Sequence, residues 1–412
     1  MAKLALLGGD PVRKNTFLKW PQLPKKTEKM VLEILRSSNL GRYDGNKIEL
    51  FENEFSKMIG ANHCIAVSTG TGALEVALRA CGIGGGDEVI LPAYTFVATA
   101  TSVLMNAAIP VFADVDHDTF CIDPLDVEKK ITKRTKAIIP VHIGGNACDM
   151  EKLHSIARKN KLRIIEDACQ AHLAEWSGQR VGALGDIGCF SFQSSKNISS
   201  GEGGAIVGNE DTLMDKCYSI HTCGREKEKP WYFHPHLGTN CRLTEIQAAI
   251  LLAQLELAEE NTRIREKNAK ILSQEIKLID GLTVQKRYAS TTRHAYHLFM
   301  IHFDKNVYDG LSRDTFIKAL NAEGLPCQKG YVPLHRENFV RETFDTSTYQ
   351  KIYGKKYLNS YFEGLDCPVT DKLCNEESIW LAQNLLLENE DNLNDVINIL
   401  RKVLNNYKEL LR

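Results

Sequence analysis

Between about residues 62 and 210, short and mostly apolar runs alternate with segments whose apolar residues recur at helical spacing. The runs are Cys64–Val67, Glu88–Leu91, Pro110–Ala113, Ala137–Val141, Arg163–Glu166, Gly188–Phe192 and Ala205–Val207. They lack the in–out alternation of a strand with one wet face, so they predict strands covered on both sides. Between them, Leu74, Val76, Ala77 and Ala80, and then Met150, Leu153, Ile156 and Ala157, each mark one face of a helix. Such alternation predicts an α/β fold with a mostly parallel sheet between helical layers. From Thr244 to about Glu275 the pattern is one long helix, with Ile246, Ala249, Ile250 and Ala253 on a stripe. The pattern then changes. His294–Phe303 reads as a strand and Arg313–Glu323 as a helix. A final helix carries Leu393, Val396, Ile397, Leu400, Val403, Leu404 and Tyr407 at 3.6-residue spacing. The expected division is a large domain over 1–264, including an N-terminal segment, and a smaller α+β domain over 265–412.

Composition narrows the class. The 412 residues hold 51 Lys and Arg against 52 Asp and Glu, a net charge of −1, and a nucleic-acid protein needs a basic surface. No apolar run is long enough to span a membrane. The opening Met1–Asn15 has too short an apolar stretch for a secretory signal. The 12 cysteines show neither C-x-x-C spacing nor a Cys/His zinc pattern. They are expected to be reduced thiols in a cytoplasmic protein.

The chemistry-bearing positions follow strand ends, where ligands gather in α/β sheets. Lys196 lies in Ser191-Phe-Gln-Ser-Ser-Lys-Asn-Ile-Ser-Ser-Gly201-Glu-Gly-Gly204, between a buried strand and a loop of small residues. Most loop lysines are merely solvated. A buried one has a lowered pKa, and its free amine suits Schiff-base chemistry with a carbonyl cofactor. Glu166 and Asp167 close another strand; an acid there either caps the next turn or holds a protonated ring nitrogen. Val67-Ser-Thr69-Gly70-Thr71-Gly72 runs from strand into helix, where free N–H groups bind phosphate. It lacks the lysine of a nucleotide-triphosphate loop. Tyr94 and Phe96 follow a further strand, where an aromatic can stack on a flat ring or simply fill core. Gly82-Ile-Gly-Gly-Gly86 precedes a strand, so it reads as a turn and not a dinucleotide loop. His234 and His236 have no third ligand nearby, and no metal is expected there.

In this order, these pieces resemble the DegT/DnrJ family of sugar aminotransferases dependent on pyridoxal 5'-phosphate (PLP). The resemblance runs from Gly8-Gly-Asp-Pro-Val-Arg13 to about Trp380. It is most specific at Glu166-Asp167, Ser191-Phe192-Gln193 with Lys196, Gly201-Glu-Gly-Gly204 and Gly238-Thr-Asn240-Cys-Arg242-Leu. It implies the type I PLP-enzyme fold and a homodimer. By position, Lys196 looks like the Schiff-base lysine and Asp167 like the partner of the pyridine nitrogen. Phe96 and Gln170 look like the residues on the ring's two faces. Thr71, Gly72 and Ser191 match the phosphate contacts, and Asn240 matches the residue that reaches the neighbouring subunit's phosphate. The family often has Ser where this chain has Thr69, and His where it has Gln170. The implied reaction moves an amino group from glutamate or glutamine to a keto-sugar or keto-cyclitol. Hydroxyl-rich acceptors would suit Gly41-Arg-Tyr43 and Tyr331-Val-Pro-Leu-His335, with Arg42 and Arg225 as candidates for a diphosphate. Two alternatives stand beside this: a dehydratase of the aminoshikimate or aminohydroxybenzoate type, and a non-catalytic regulator that binds PLP or sugar. Family dehydratases replace the lysine with His, whereas this chain keeps Lys196. Cys367-Pro-Val-Thr-Asp371 and Trp380-Leu look more like relatives acting on cyclitols and aminoshikimate-type substrates.

Overall fold

The structure, a computed structural model, describes residues 3–411. Its first nine strands are β1 (His63–Val67), β2 (Glu88–Pro92), β3 (Ile109–Ala113), β4 (Thr135–Ile138), β5 (Arg163–Asp167), β6 (Glu175–Trp176), β7 (Gln179–Arg180), β8 (Ile187–Ser191) and β9 (Gly204–Gly208). Seven of them form one sheet in the order β1-β9-β8-β5-β4-β2-β3. The pairs from β8 to β3 are parallel, and β9 runs antiparallel to both of its neighbours. All five residues of β2, of β8 and of β9 are buried, as unbroken apolar runs require.

Two expected strands end elsewhere. The run Ala137–Val141 leaves the sheet at Ile138, just before Pro140, which has no N–H for a ladder. Val141 keeps only an isolated bridge to Asp167. The run His294–Phe303 is strand only from Leu298, as β12 (Leu298–Phe303), and β10 (Leu282–Val284) and β11 (Thr291–Arg293) precede it. The intervening turn passes through Tyr296 at φ 47°, and the Ala295 N–H donates to the Gly145 carbonyl (3.0 Å). With β13 (Cys327–Gln328) and β14 (Ser378–Ala382), β10 and β12 make an antiparallel sheet in the order β10-β12-β14-β13.

The long helix spans Glu245–Ile276. Thr244 and Gln247 form a reciprocal capping box at its start, which satisfies two otherwise orphan N–H groups.

Among the described residues there are two large apolar clusters, and the chain crosses between them more than once. The larger surrounds the seven-stranded sheet and also takes in Leu334, Val340, Phe344, Tyr349, Leu358, Cys367 and Leu373. The smaller joins the four-stranded sheet to the final helix Glu390–Asn405, and it also takes in Leu4 and Phe17. Within the returning segment, Tyr349, Tyr353, Tyr357 and Tyr361 recur every four residues. Their hydroxyls donate to Leu104 O (2.8 Å), Ala107 O (2.8 Å), Glu88 Oε1 (2.7 Å) and Pro110 O (2.6 Å). The spacing thus braces the segment against β2, β3 and the loop between them.

Candidate active site

A cavity of about 950 Å³ opens beyond the C-terminal ends of β5 and β8, and Trp380 and Ala382 of the small sheet form part of its wall. Neighbouring residues on a strand face opposite ways, and that separates the two acids that end β5. Glu166 is fully buried away from the cavity. It accepts from the amides of Gly182 (2.7 Å), Leu184 (2.8 Å) and Gly185 (2.6 Å), and pairs with His142 Nε2 at 2.9 Å. Burial alone raises its pKa, but His142 and these amides outweigh burial and hold it below the usual value. Glu166 therefore locks the strand end in place. Asp167 faces the cavity. Its Oδ2 accepts from Thr99 Oγ1 (2.8 Å) and its Oδ1 from the Cys169 amide (3.2 Å).

Lys196 sits on the cavity wall. Its amide donates to Gln193 O (2.9 Å), and its carbonyl accepts from Trp20 Nε1 (2.8 Å). Gln254 of the long helix then grips both backbone groups of Ser199, so the loop is held from two sides. Among the described residues, no carboxylate pairs with the ammonium. Burial lowers its pKa, partly opposed by nearby Cys169 and Asp167. His297, also on the wall, is pushed well below the usual histidine value by burial and then by Lys196. It is therefore neutral beside the amine.

The strand-to-helix turn after β1 presents a helix start to the cavity. Thr69 caps the helix Gly70–Ala80 by accepting the Gly72 amide (2.9 Å), a contact worth about 1 kcal/mol. Thr69, Gly70 and Thr71 line the cavity with Ser191, whereas Gly72 is off the wall and donates its amide to the Thr69 cap. Gly70 has to lack a side chain, because a Cβ there would stand 2.7 Å from Ser191 Cβ and 2.9 Å from Cys169 Sγ. Phe96, 55% exposed, reaches the wall just past β2. Gln170 is buried on the wall and fixed at both ends: its Oε1 accepts from the Gly144 amide (2.9 Å) and its Nε2 donates to the Tyr331 hydroxyl (2.8 Å).

Lys196, Asp167, Thr71, Phe96, Gln170 and Ser191 thus come together around one space. Asn240 does not: it is exposed and off the wall. It follows a loop that exposes Trp231, Tyr232, Phe233 and Leu237. Arg42 is also elsewhere, bound through both nitrogens to Glu52 (2.7 and 2.9 Å). Arg225 lies over the Trp231 ring, 4.1 Å from its centroid. His234 and His236 bond separately to Cys223 O and Ser219 Oγ. Thr99, Trp20 and His297 escaped sequence reasoning because each acts through a contact between distant segments. Thr99 lay within a segment singled out for its aromatics, and only the position just past a strand end marked it.

The family model for DegT/DnrJ/EryC1/StrS aminotransferases matches residues 21–401. The chain belongs to that family. Aminotransferases of this family depend on PLP, and the α/β fold with a mostly parallel central sheet is that of type I PLP enzymes. Among its relatives, a putative L-glutamine:3-amino-2,3-dideoxy-scyllo-inosose aminotransferase of Streptoalloteichus tenebrarius is 37% identical, covering 99% of each chain. The 3-amino-5-hydroxybenzoate synthase of Amycolatopsis mediterranei is 33% identical over 93% of this chain and 96% of its own. A crystal structure of 3-amino-5-hydroxybenzoic acid synthase superposes with a TM-score of 0.86 at 31% identity, covering 96% of this chain and 100% of that one. No helix among the described residues is long and apolar enough to cross a membrane.

Proposed function

We propose that this cavity binds PLP and transfers an amino group from glutamine or glutamate to a keto-cyclitol or related keto-sugar. The observation that carries the reading is the pairing, in one cavity, of an amine with a lowered pKa and an oriented carboxylate, beside a glycine-lined helix start. These residues fit PLP. The free amides of the helix start and the hydroxyls of Thr71 and Ser191 would take its phosphate, with Gly72 keeping the helix start narrow. Phe96 and Gln170 would flank its ring, and Asp167 would keep a proton on its pyridine nitrogen. When bound, PLP supplies an electron sink for charge at the reacting carbon. Lys196 Nζ would hold the cofactor, and its amine, with its pKa lowered by burial, would move a proton at the substrate carbon. Thr99 holds the Asp167 carboxylate and Trp20 holds the Lys196 backbone, so both groups are oriented before substrate arrives. The twelve free thiols accord with a cytoplasmic enzyme. The exposed aromatic loop before Asn240 accords with a homodimer in which Asn240 serves the partner's site.

The keto-cyclitol reading rests on the scyllo-inosose aminotransferase likeness and on a wall that mixes Tyr331 and Trp380 with Gln193 and Asn384. Flat aromatics cover the apolar face of a hydroxylated ring, while amides bond its hydroxyls. The test begins with the glutamine-treated enzyme. Scyllo-inosose-type ketones and nucleotide-linked keto-sugars are added, and return of the cofactor's original absorbance is followed. Return with the cyclitol ketones is expected; return with simple α-keto acids alone would overturn the acceptor. Likeness to the hydroxybenzoate synthase keeps dehydration as a second reading, and release of an aromatic product without consumption of donor would favour it. Borohydride reduction should fix the cofactor to the peptide holding Lys196, and Lys196→Ala should abolish turnover.

A further inference from the structure

A second group of side chains lies outside this cavity, where the loop after β3 meets the small sheet. His117 comes from that loop, His302 from β12, and Glu377 from the turn just before β14. One ligand-type atom from each lies within 4.8 Å of the other two. Glu377 Oε2 is 2.7 Å from His117 Nε2 and 3.6 Å from His302 Nδ1.

Two features separate this group from an ordinary ion-pair cluster. First, His302 is only 6% exposed, yet neither ring nitrogen has a hydrogen-bond partner among the described residues. Its ring is packed between His117 (centroids 4.7 Å apart) and Phe120 (4.5 Å). A buried imidazole normally finds a partner for its polar atoms, and here one nitrogen points at Glu377. Second, a carboxylate stands on the far side of the His117 ring. Its Nδ1 is 3.6 Å from Asp118 Oδ1, and Asp118 is itself held by Lys286 (2.7 Å). A carboxylate on that side favours the proton on Nδ1, which leaves Nε2, 2.7 Å from Glu377 Oε2, as the ligand atom. The other oxygen of Glu377 is held by Lys372 at 2.6 Å, which leaves Oε2 for the two imidazoles.

We propose that His117, His302 and Glu377 bind a zinc-class divalent transition metal that clasps the loop after β3 to the small sheet. Two imidazoles and a carboxylate are a known zinc donor set, with water in the fourth place. Bonds of about 2.0–2.1 Å in a tetrahedron put ligand atoms about 3.4 Å apart. The present separations, 2.7 Å at the closest and up to 4.8 Å, bracket that value. The half-exposed His117 gives the metal its way in. The three residues are far apart in the chain, so no spacing motif reveals them. The clasp has a consequence for the cavity. Ser378, next to Glu377, bonds the Tyr94 hydroxyl (2.7 Å), and Tyr94 in turn accepts from Trp380 Nε1 (3.0 Å) on the cavity wall. A metal at Glu377 would therefore tie that wall to the large sheet.

The site is tested on the full-length, cofactor-loaded protein after chelation and dialysis, with zinc chloride titrated against a chromophoric chelator. One zinc per chain is expected, along with a rise in melting temperature. His117→Ala, at a half-exposed position, should weaken binding at least 10-fold and remove the thermal shift. Glu377→Gln should do the same, and Asp118→Asn, which acts through His117, should weaken binding about 10-fold. Unchanged zinc affinity in His117→Ala would place the metal elsewhere, for instance on thiols, and would overturn the proposal. So would failure of the wild-type chain to take up zinc at micromolar concentration. Amine transfer need not be measured, so failure here leaves the aminotransferase reading standing.

Discussion

Replacing Asp167 by Asn isolates charge from shape. In the wild-type chain the carboxylate takes the Thr99 hydroxyl at 2.8 Å and the Cys169 amide at 3.2 Å. An Asn carbonyl still accepts the Cys169 N–H. Its NH2 group then faces Thr99, whose hydroxyl turns to accept and gives its own proton to Thr95 Oγ1, 3.0 Å away. No buried polar group is stranded, so the fold should lose about 1 kcal/mol or less. What disappears is the negative charge that, in the proposed role, keeps a proton on the cofactor's ring nitrogen. Loss of one aimed electrostatic contact costs about 10²-fold or more, equal to about 2.7 kcal/mol of barrier. The assay is the half-reaction with glutamine, followed by cofactor absorbance in single turnover, beside a melting curve. We expect the rate to collapse while the melting temperature barely moves. Asp167 also helps keep Lys196 protonated, so the acidic limb of the pH–rate profile should shift to lower pH in the variant. A variant within about threefold of wild type would refute the assigned role; a large drop in melting temperature would show that the residue was mainly structural.

Three further outcomes are expected. Gly70→Ala pushes a methyl to within 2.7 Å of Ser191, so cofactor affinity measured by absorbance titration should fall at least 10-fold; unchanged affinity would remove the helix start from the argument. Mixing Lys196→Ala with Asn240→Ala subunits should restore activity through one intact site per mixed dimer; no recovery, with mixed dimers demonstrated, would mean that Asn240 acts within its own chain. The third concerns acid. Burial pushes His172, His221 and His294 down to about 3 from 6.5. The unfolded chain therefore binds more protons between those values, and stability is lost as pH falls below about 6.5. The loss should approach 1.4 kcal/mol per pH unit for each histidine, about 4 in all. Urea midpoints that stay flat from pH 7 to pH 5 would show that these rings are not held neutral.

The large sheet was legible because strands covered on both faces have no polar positions to disguise them: the expected Glu88–Leu91 and the observed Glu88–Pro92 differ by one residue. Strand ends were less legible where a tertiary contact decides them. Pro140 and the Ala295–Gly145 contact each cut short a run that hydrophobicity alone continues. In the site, Lys196, Asp167 and the helix start stood out because each follows a strand end. Of the acid pair, sequence resemblance selected Asp167, and the pleat separates the two. Strand pleat sends Glu166 to the His142 side and Asp167 to the Thr99 side. Asn240 sits on the surface away from the cavity, and only the family resemblance singled it out. The group at His117, His302 and Glu377 left no trace in the sequence because only the meeting of two sheets assembles it.

The tyrosine-braced segment has a consequence for how this chain is made. A nascent chain released up to residue 264 already contains every strand of the seven-stranded sheet. It still lacks Leu334, Phe344, Tyr349, Leu358 and Leu373, which seal that sheet's apolar cluster, and Leu4 and Phe17 still have no small sheet to pack on. The amino-terminal portion therefore emerges from the ribosome as an unsealed body and stays so until almost the whole chain is out. Chaperones that shield exposed apolar surface are needed longest over this interval. A gene fragment cut at the long helix would yield an aggregating product rather than a working half.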